Sequence, residues 1–416
     1  MSLIQFAEQR FKDLQRHSGV TEKSFRARAW EEFSRLGLPD RKTESWRYSP
    51  LTGLSQKEWK PADADLDIWA RALLLRDQWK NEFDVLVIQN GRWRKDQSVI
   101  SESSSLSNYD FEREVSIEDG FSGLSVAIGQ PGFQLRVENG VKRKPVLVLH
   151  VVVGEDVWST GLHQIIVESE AQLDVAEVFL GQGRYLRSDQ MTLEVGERAH
   201  VNWLRVQDDS TLAQHYSVGR AKLSQGGVLN LAQIHSGSVW TRCQLSADIH
   251  AVAAEAHLFG LTFARQQQHI DQRVVANHWV GQSFSSQLFK GVLKDRCRAV
   301  VNGRIFIAKE AQKVSSSQLN HNLILTPGAE ADTKPELEIY ADDVKANHGA
   351  SVGRMDEDKL FYLESRGIRR SEAMQMLAKA FAADVLMKIP SVSLRRLAER
   401  TVNDILPEFA EQMEHG

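Results

Sequence analysis

Apolar residues near the start of the chain fall at three- and four-residue steps: Leu3, Phe6, Ala7, Phe11 and Leu14, then Phe25, Ala29, Trp30 and Phe33. That spacing gathers them on one helical face, so residues 2–36 are read as amphipathic helices. Residues 37–51 (GLPDRKTESWRYSPL) are broken by proline and mix charge with aromatics, which predicts a loop, and residues 68–79 predict a further helix. From about Val85 to about Val344 the pattern changes to short β-rich runs such as Gln164-Ile-Ile-Val167 and Ile305-Phe-Ile307. No long helix is expected among them.

Within that stretch a unit recurs in which a small residue precedes apolar residues at alternate positions. Ala171-Gln-Leu-Asp-Val175, Ala199-His-Val-Asn-Trp203, Gly227-Val-Leu-Asn-Leu231 and Ala254-Glu-Ala-His-Leu258 start 28, 28 and 27 residues apart. Val167, Val195 and Leu223 stand four residues before the first three units, which predicts strand, tight turn and strand once per coil. A fixed coil length with inward aliphatic residues and no helical partner favours a parallel β-helix over a sandwich. Cys297-Arg-Ala-Val-Val301 and Ala329-Glu-Ala-Asp-Thr333 are weaker, off-period matches.

After Val352 the helical period returns. Ser371 is the expected N-cap of a run with Ala373, Met376, Leu377, Ala380, Phe381 and Leu386 on its apolar side, and Pro390 ends it. Residues 391–409 supply a second helix with Leu394, Leu397, Ala398, Val402 and Ile405 on one stripe. The expected organisation is a mainly helical segment 1–105, a β-helix core 106–350 and a helical segment 351–416. The last is either a cap or a docking surface.

With 42% hydrophobic and 25% charged residues among 416, the composition is that of a globular protein. A formal charge of −4 leaves no basic excess to neutralise phosphates, which argues against a nucleic-acid binder. The N-terminal MSLIQFAEQRFKDLQ has no continuous apolar core, so neither signal peptide nor membrane anchor is expected and the cytoplasm is the expected compartment. The two cysteines, Cys243 and Cys297, lack CxxC context, which fits a reducing compartment and excludes a self-contained four-cysteine site.

His348 lies in ADDVKANHGASVG, read as a glycine-bearing turn after strand residues 337–341. A lone histidine there is most simply a solvated side chain; its functional reading is a soft-metal ligand. Asp342 and Asp343 read as a solvated pair. Cys297 is flanked by Asp295, Arg296 and Arg298, and neighbouring cations would lower its thiol pKa, which makes it a weak candidate metal ligand against the commoner reading of inert packing. His269, Asp271 and His278 resemble metal spacing, but in an extended chain the first two face one side and the third the other. His257 shares one repeat position with Asp174 and Asn230, His200 stands two residues earlier in its unit on the same outward alternation, and neither is assigned chemistry. HExxH and Walker patterns are absent, and Gly181-Gln-Gly-Arg184 lacks a third glycine.

Ordered blocks nevertheless carry a resemblance. Ser283-Phe-Ser-Ser-Gln-Leu-Phe-Lys-Gly-Val-Leu293, Gly303-Arg-Ile, Gln318-x-Asn-x-Asn322, Pro335-Glu-Leu-Glu-Ile339, Ala341-Asp-Asp-Val-Lys345, His348-Gly-Ala350 and Ser365-Arg-Gly-Ile368 resemble the SufB/SufD family of iron–sulfur cluster assembly proteins. Leu38-Pro-Asp-Arg-Lys-Thr-Glu-Ser-Trp-Arg-Tyr48 is similar to that family's entry motif. Compact and poor in cysteine, the chain resembles the SufD branch more than the SufB branch.

The resemblance implies a right-handed parallel β-helix flanked by helical domains and a non-catalytic scaffold role in the SufBCD complex. It implies pairing with SufB at one solenoid end, so that a transient Fe–S cluster shared with SufB forms at the junction. It also implies that SufC, an ATPase, docks through residues 371–409 and drives a conformational change. Family members often carry cysteine two residues before the histidine, where Ala346 stands here, so His348 is the ligand this chain would contribute. Reduced flavin is implied for the complex, with no residue assigned to it. An unpaired edge strand also allows a homodimer when SufB is absent. Two other readings stand beside this one: a passive stabilising partner of SufB, and a β-helical polysaccharide-active enzyme, for which no catalytic groups converge.

Overall fold

The computed structural model describes residues 2–55, 57–62, 67, 69–101, 105–112 and 117–409. Helices α1 (Leu3–His17) and α2 (Val20–Leu36) open the chain, and a capping box between Ser2 and Gln5 satisfies backbone donors of the first turn. Helix α3 (Ala70–Trp79) follows; Ile68, where the pattern placed its start, lies outside the described residues. Strand β1 (Asp84–Gln89), helix α4 (Gly120–Ile128) and strand β2 (Gln130–Val137) lead into the repeats.

Helix α4 was not expected. It is buried at all nine positions, with Phe121, Leu124 and Ile128 in one apolar cluster and Val126 and Ala127 in another. A helix sandwiched between two apolar surfaces shows no polar stripe and therefore no helical period.

The strands of the repeats are β3 (Val146–Val153), β4 (Val157–Val167), β5 (Gln172–Gln182), β6 (Tyr185–Val195), β7 (His200–Asp208), β8 (Gln214–Leu223), β9 (Val228–His235), β10 (Trp240–Ile249), β11 (Glu255–Ala264), β12 (His269–His278), β13 (Phe284–Leu293), β14 (Arg298–Ile307), β15 (Val314–Ile324), β16 (Glu330–Ile339) and β17 (Val344–Arg354). Each pairs in parallel with the strand two places on, odd strands in one sheet and even strands in the other. The result is a parallel β-solenoid of about eight coils.

Cα partners confirm the period. His200 opposes Gln172 and Val228, and Val228 opposes Glu255, which are the coil steps read from the repeats. The off-period matches at Cys297 and Ala329 precede β14 and β16, so they belong to the even sheet; the odd sheet continues through Phe284 and Ser315. From β4 to β15, each corner from an even to an odd strand is turned by a left-handed residue: Glu170, Arg198, Gly226, Ala253, Gln282 and Lys313. For an L-residue that conformation costs about 1–2 kcal/mol. The N–H it turns outward donates to the neighbouring coil, as from Glu170 to the carbonyl of Glu197 and from Arg198 to that of Gln225, which offsets about 1 kcal/mol.

Apolar rows fill the bore. Val175, Trp203, Leu231 and Leu258 stack in register, all but excluded from solvent. The same strands carry Ala176, Val178, Leu204, Val206 and Ile234 on their outer face, where α6 (Arg370–Leu386) and α7 (Val392–Ile405) cover them with Val385, Leu394, Leu397 and Val402. Helices α1 and α4 cover the even sheet in the same way. Polar contacts tie the tail down: Ser391 donates to Asp174 at 2.6 Å, and the Lys290 ammonium reaches Asp384 at 2.5 Å and the Phe381 carbonyl at 3.0 Å.

The C-terminal helices thus lie along the odd sheet and leave the last coil open, which rules out the reading that they cap its end. Helix α6 begins at Arg370 with Arg369 as N-cap, two residues ahead of the expected Ser371, and Ser391 caps α7 through Leu394 N. A further helix, α5 (Glu357–Ser365), joins β17 to α6. Among the described residues no helix is long and apolar enough to cross a membrane.

Candidate metal-ligand site at the open edge

Strands β16 and β17 end the two ladders, so each presents one backbone edge with no strand beyond it among the described residues. Such an edge is a template for another chain. Pro335, in β16, fits there because its missing N–H is tolerated at an edge.

His348 lies in β17, in register with Gln318, and not in a turn. The Ala-Asn-His-Gly run looks like turn punctuation, but eleven residues of β17 pair continuously with β15, and ladder pairing overrides the local signal. Side chains of β15 alternate, with Val314, Ser316, Gln318, Asn320 and Asn322 buried on the bore side. By register Val344, Ala346, His348, Ala350 and Val352 share that side. Across the bore Gln318 crowds Gly303, whose place in the next coil is taken by Pro335, and Asn320 donates to Thr333 at 2.9 Å. His348 therefore stands at the mouth of the bore, exposed because no coil follows it.

Towards the start of β17 the same side becomes small and apolar, where Ala346 and Val344 pack against Ile305, Val314 and Ala341. The acidic pair does not join it. Asp342 and Asp343 sit at the corner before β17, and five residues of strand put Asp343 roughly 16 Å away. Asp343 has a backbone role there, its N–H donating to Gln312 Oε1 at 2.8 Å.

The thiol of Cys297 is raised where its charged neighbours suggested a lowered one. The residue is fully buried among Ala264, Ile270, Leu293 and Ala299, and burial pushes its thiol up to about 12. Its cationic neighbours do not reach it, because successive strand residues face opposite sides and the Arg298 guanidinium is held by Asp332 at 2.7 Å. Cys243 is likewise buried, its thiol raised by desolvation, and donates to Gln233 Oε1 at 3.2 Å. Both side chains are packed in the interior.

His269, Asp271 and His278 do not converge on a metal site. Ser49 bridges His269 Nε2 at 2.8 Å and Asp271, and Asp271 also takes the Arg242 guanidinium, which stacks over the buried Trp46 ring. This fastens the N-terminal loop to the even sheet. His278 lies between the hydroxyls of Ser283 and Ser285, both at 2.8 Å. Outward-facing His257 meets Ser286 and Glu255, and His200 is exposed.

Not foreseen was a set of exposed apolar side chains around the open end. Tyr340, Val352, Phe361 and Tyr362 are 62%, 56%, 73% and 58% exposed, against an interior packed to near zero. Exposed aromatics beside an unpaired edge mark an interaction surface.

A family model described as SUF system FeS cluster assembly, SufBD core domain, matches residues 150–381. The iron-sulfur cluster assembly protein SufD of Escherichia coli (strain K12) is 31% identical over 398 residues, 91% of each chain. An iron-sulfur cluster assembly SufBD family protein of Synechocystis is 30% identical over 56% of this chain and 53% of its own. Protein ABCI7, chloroplastic, of Arabidopsis thaliana is 27% identical over 67% of this chain and 53% of its own.

Proposed function

The chain belongs to the SufB/SufD family of SUF iron–sulfur cluster assembly proteins, similar to SufD along most of its length, and from that premise we propose that it is a non-catalytic scaffold that joins SufB at its open edge. The observation that carries this reading is His348, the imidazole at the mouth of the bore on the strand that ends the odd ladder. A SufB strand added to β16 or β17 would bring partner ligands beside that side chain.

Imidazole suits the task. It binds iron more weakly than thiolate does, so a cluster held partly by His348 is easier to hand on. The cluster is cargo in this reading, formed between SufB and this chain in the cytoplasm. SufC docks on the exposed surface of α6 and α7, and its ATP-driven movement reaches the junction because these helices lie on the odd sheet that ends in β17.

The test is anaerobic reconstitution with ferrous iron and sulfide of this chain alone and of its co-expressed complex with SufB and SufC. The chain alone should stay colourless and the complex should develop cluster absorption. A stable cluster on the chain alone would overturn the scaffold reading.

A further inference from the structure

The bore is not apolar throughout. In the first coils it encloses His150 on β3, His163 on β4, Glu177 on β5, and Arg187 and Asp189 on β6, none more than 4% exposed. Ligand atoms of His150, His163 and Asp189 all lie within 4.8 Å of one another. We propose that His150 Nδ1, a ring nitrogen of His163 and Asp189 Oδ1 hold one divalent transition-metal ion.

Unpartnered atoms carry the inference. Neither nitrogen of His163, nor His150 Nδ1, nor Asp189 Oδ1 has a hydrogen-bond partner, although each is sealed from water. A buried polar atom left unpaired costs about 1–3 kcal/mol, and four in one cluster are expensive unless something sits among them.

The surrounding groups are arranged as metal sites require. His150 donates from Nε2 to Glu177 at 2.9 Å, so its tautomer is fixed and Nδ1 keeps a free lone pair. A carboxylate behind a histidine in this way orients it and raises its basicity as a ligand. Asp189 binds Arg187 through Oδ2 at 3.1 Å, which leaves Oδ1 for the ion.

Two glycines make the room. A Cβ on Gly161 would lie 2.5 Å from His163 Nε2 and 2.8 Å from Asp189 Oδ1, and one on Gly132 would lie 2.1 Å from His163 Nδ1. Charge points the same way. The carboxylates Glu177, Asp189 and Asp209 share two guanidiniums, Arg187 and Arg205, and otherwise meet the imidazoles of His150 and His215, so a cation offsets the carboxylate the two guanidiniums do not match.

Two imidazoles and a carboxylate suit zinc, iron(II) or cobalt(II) better than calcium or magnesium. Because the site is sealed, the ion enters as the chain folds, joining the two sheets across the bore.

The full-length chain carrying His348→Ala, which removes the exposed imidazole, is expressed with added Co2+ or Zn2+, purified and dialysed against chelator. One equivalent should remain, with cobalt showing the ligand-field absorption of nitrogen and oxygen ligands. His163→Gln and Asp189→Asn, each in that background, should lose it while keeping the β circular-dichroism spectrum. Gly161→Ala should exclude the ion without changing any ligand. A folded chain with no retained ion would overturn the proposal, leaving water as the filler, and so would an ion that survives all three substitutions.

Discussion

His348 is in register with Gln318, one coil earlier, so an exposed imidazole stands on the same side of the sheet as an amide sealed inside the bore at 1% exposure. Exposure differs between them only because the solenoid stops. The unsatisfied surface at its end is backbone edge, bore mouth and aromatic rim together.

Because Ala350 faces the bore at the open edge and is exposed, Ala350→Lys should leave folding unchanged within about 0.5 kcal/mol. An inward-pointing charge on an edge strand blocks further pairing. Size-exclusion chromatography and co-purification should show loss both of self-association and of the SufB complex, and an intact complex would place SufB elsewhere.

The C-terminal helices call for surface substitutions and not removal. Truncation after Gly367 would uncover Val178, Leu204, Val206, Ile234 and Leu261, now beneath α6 and α7, and the chain should aggregate. Met387 and Val392 are 67% and 60% exposed. The double variant Met387→Glu, Val392→Glu should weaken SufC binding by about 10- to 100-fold with unchanged melting temperature. Titration calorimetry with SufC gives the answer, and undiminished affinity would exclude this surface.

Asp271→Ala leaves Arg242 buried without its carboxylate. Such a loss costs about 3–5 kcal/mol. The urea midpoint should fall accordingly, together with the fluorescence of Trp46, over which Arg242 stacks.

Acid should loosen the bore before it reaches the carboxylates. His235 and His278 have pKa values pushed by burial from 6.5 to about 3 and about 4. Their folded values lie below the unfolded one, so the stability they confer is complete above pH 6.5 and is lost as the pH falls towards those values. The unfolded chain takes up protons that the folded one refuses, each histidine contributing up to about 1.4 kcal/mol per pH unit. Glu177 extends the loss below 4.5: burial alone would raise it, but Arg205 and His150 hold it at about 2. Urea midpoints measured from pH 7 to pH 5 should decline steadily, and a flat profile would contradict neutral buried histidines.

How much of this was legible follows from which interactions are periodic. Coil length was readable because Val175, Trp203, Leu231 and Leu258 must occupy one row, and a row repeats at the coil period. The site was not readable in place. His348 looked like part of a turn because Gly349 follows it, yet non-local pairing with Gln318 decided the conformation. The thiol of Cys297 was not readable for a related reason: sequence neighbours along an extended chain face opposite sides, so the adjacent Arg298 is turned to Asp332. The histidines of the bore left one trace, His150 inside the otherwise apolar run Val146–Val153, where a polar residue needs a buried partner.

The central claim rests on one imidazole, and the decisive measurement is the iron and sulfide bound per SufB–SufC complex after anaerobic reconstitution with wild-type chain or with His348→Ala. The substitution should cut cluster content severely while complex assembly, circular dichroism and melting temperature stay unchanged. Full cluster content with the alanine variant would contradict the account and leave this chain a passive partner of SufB.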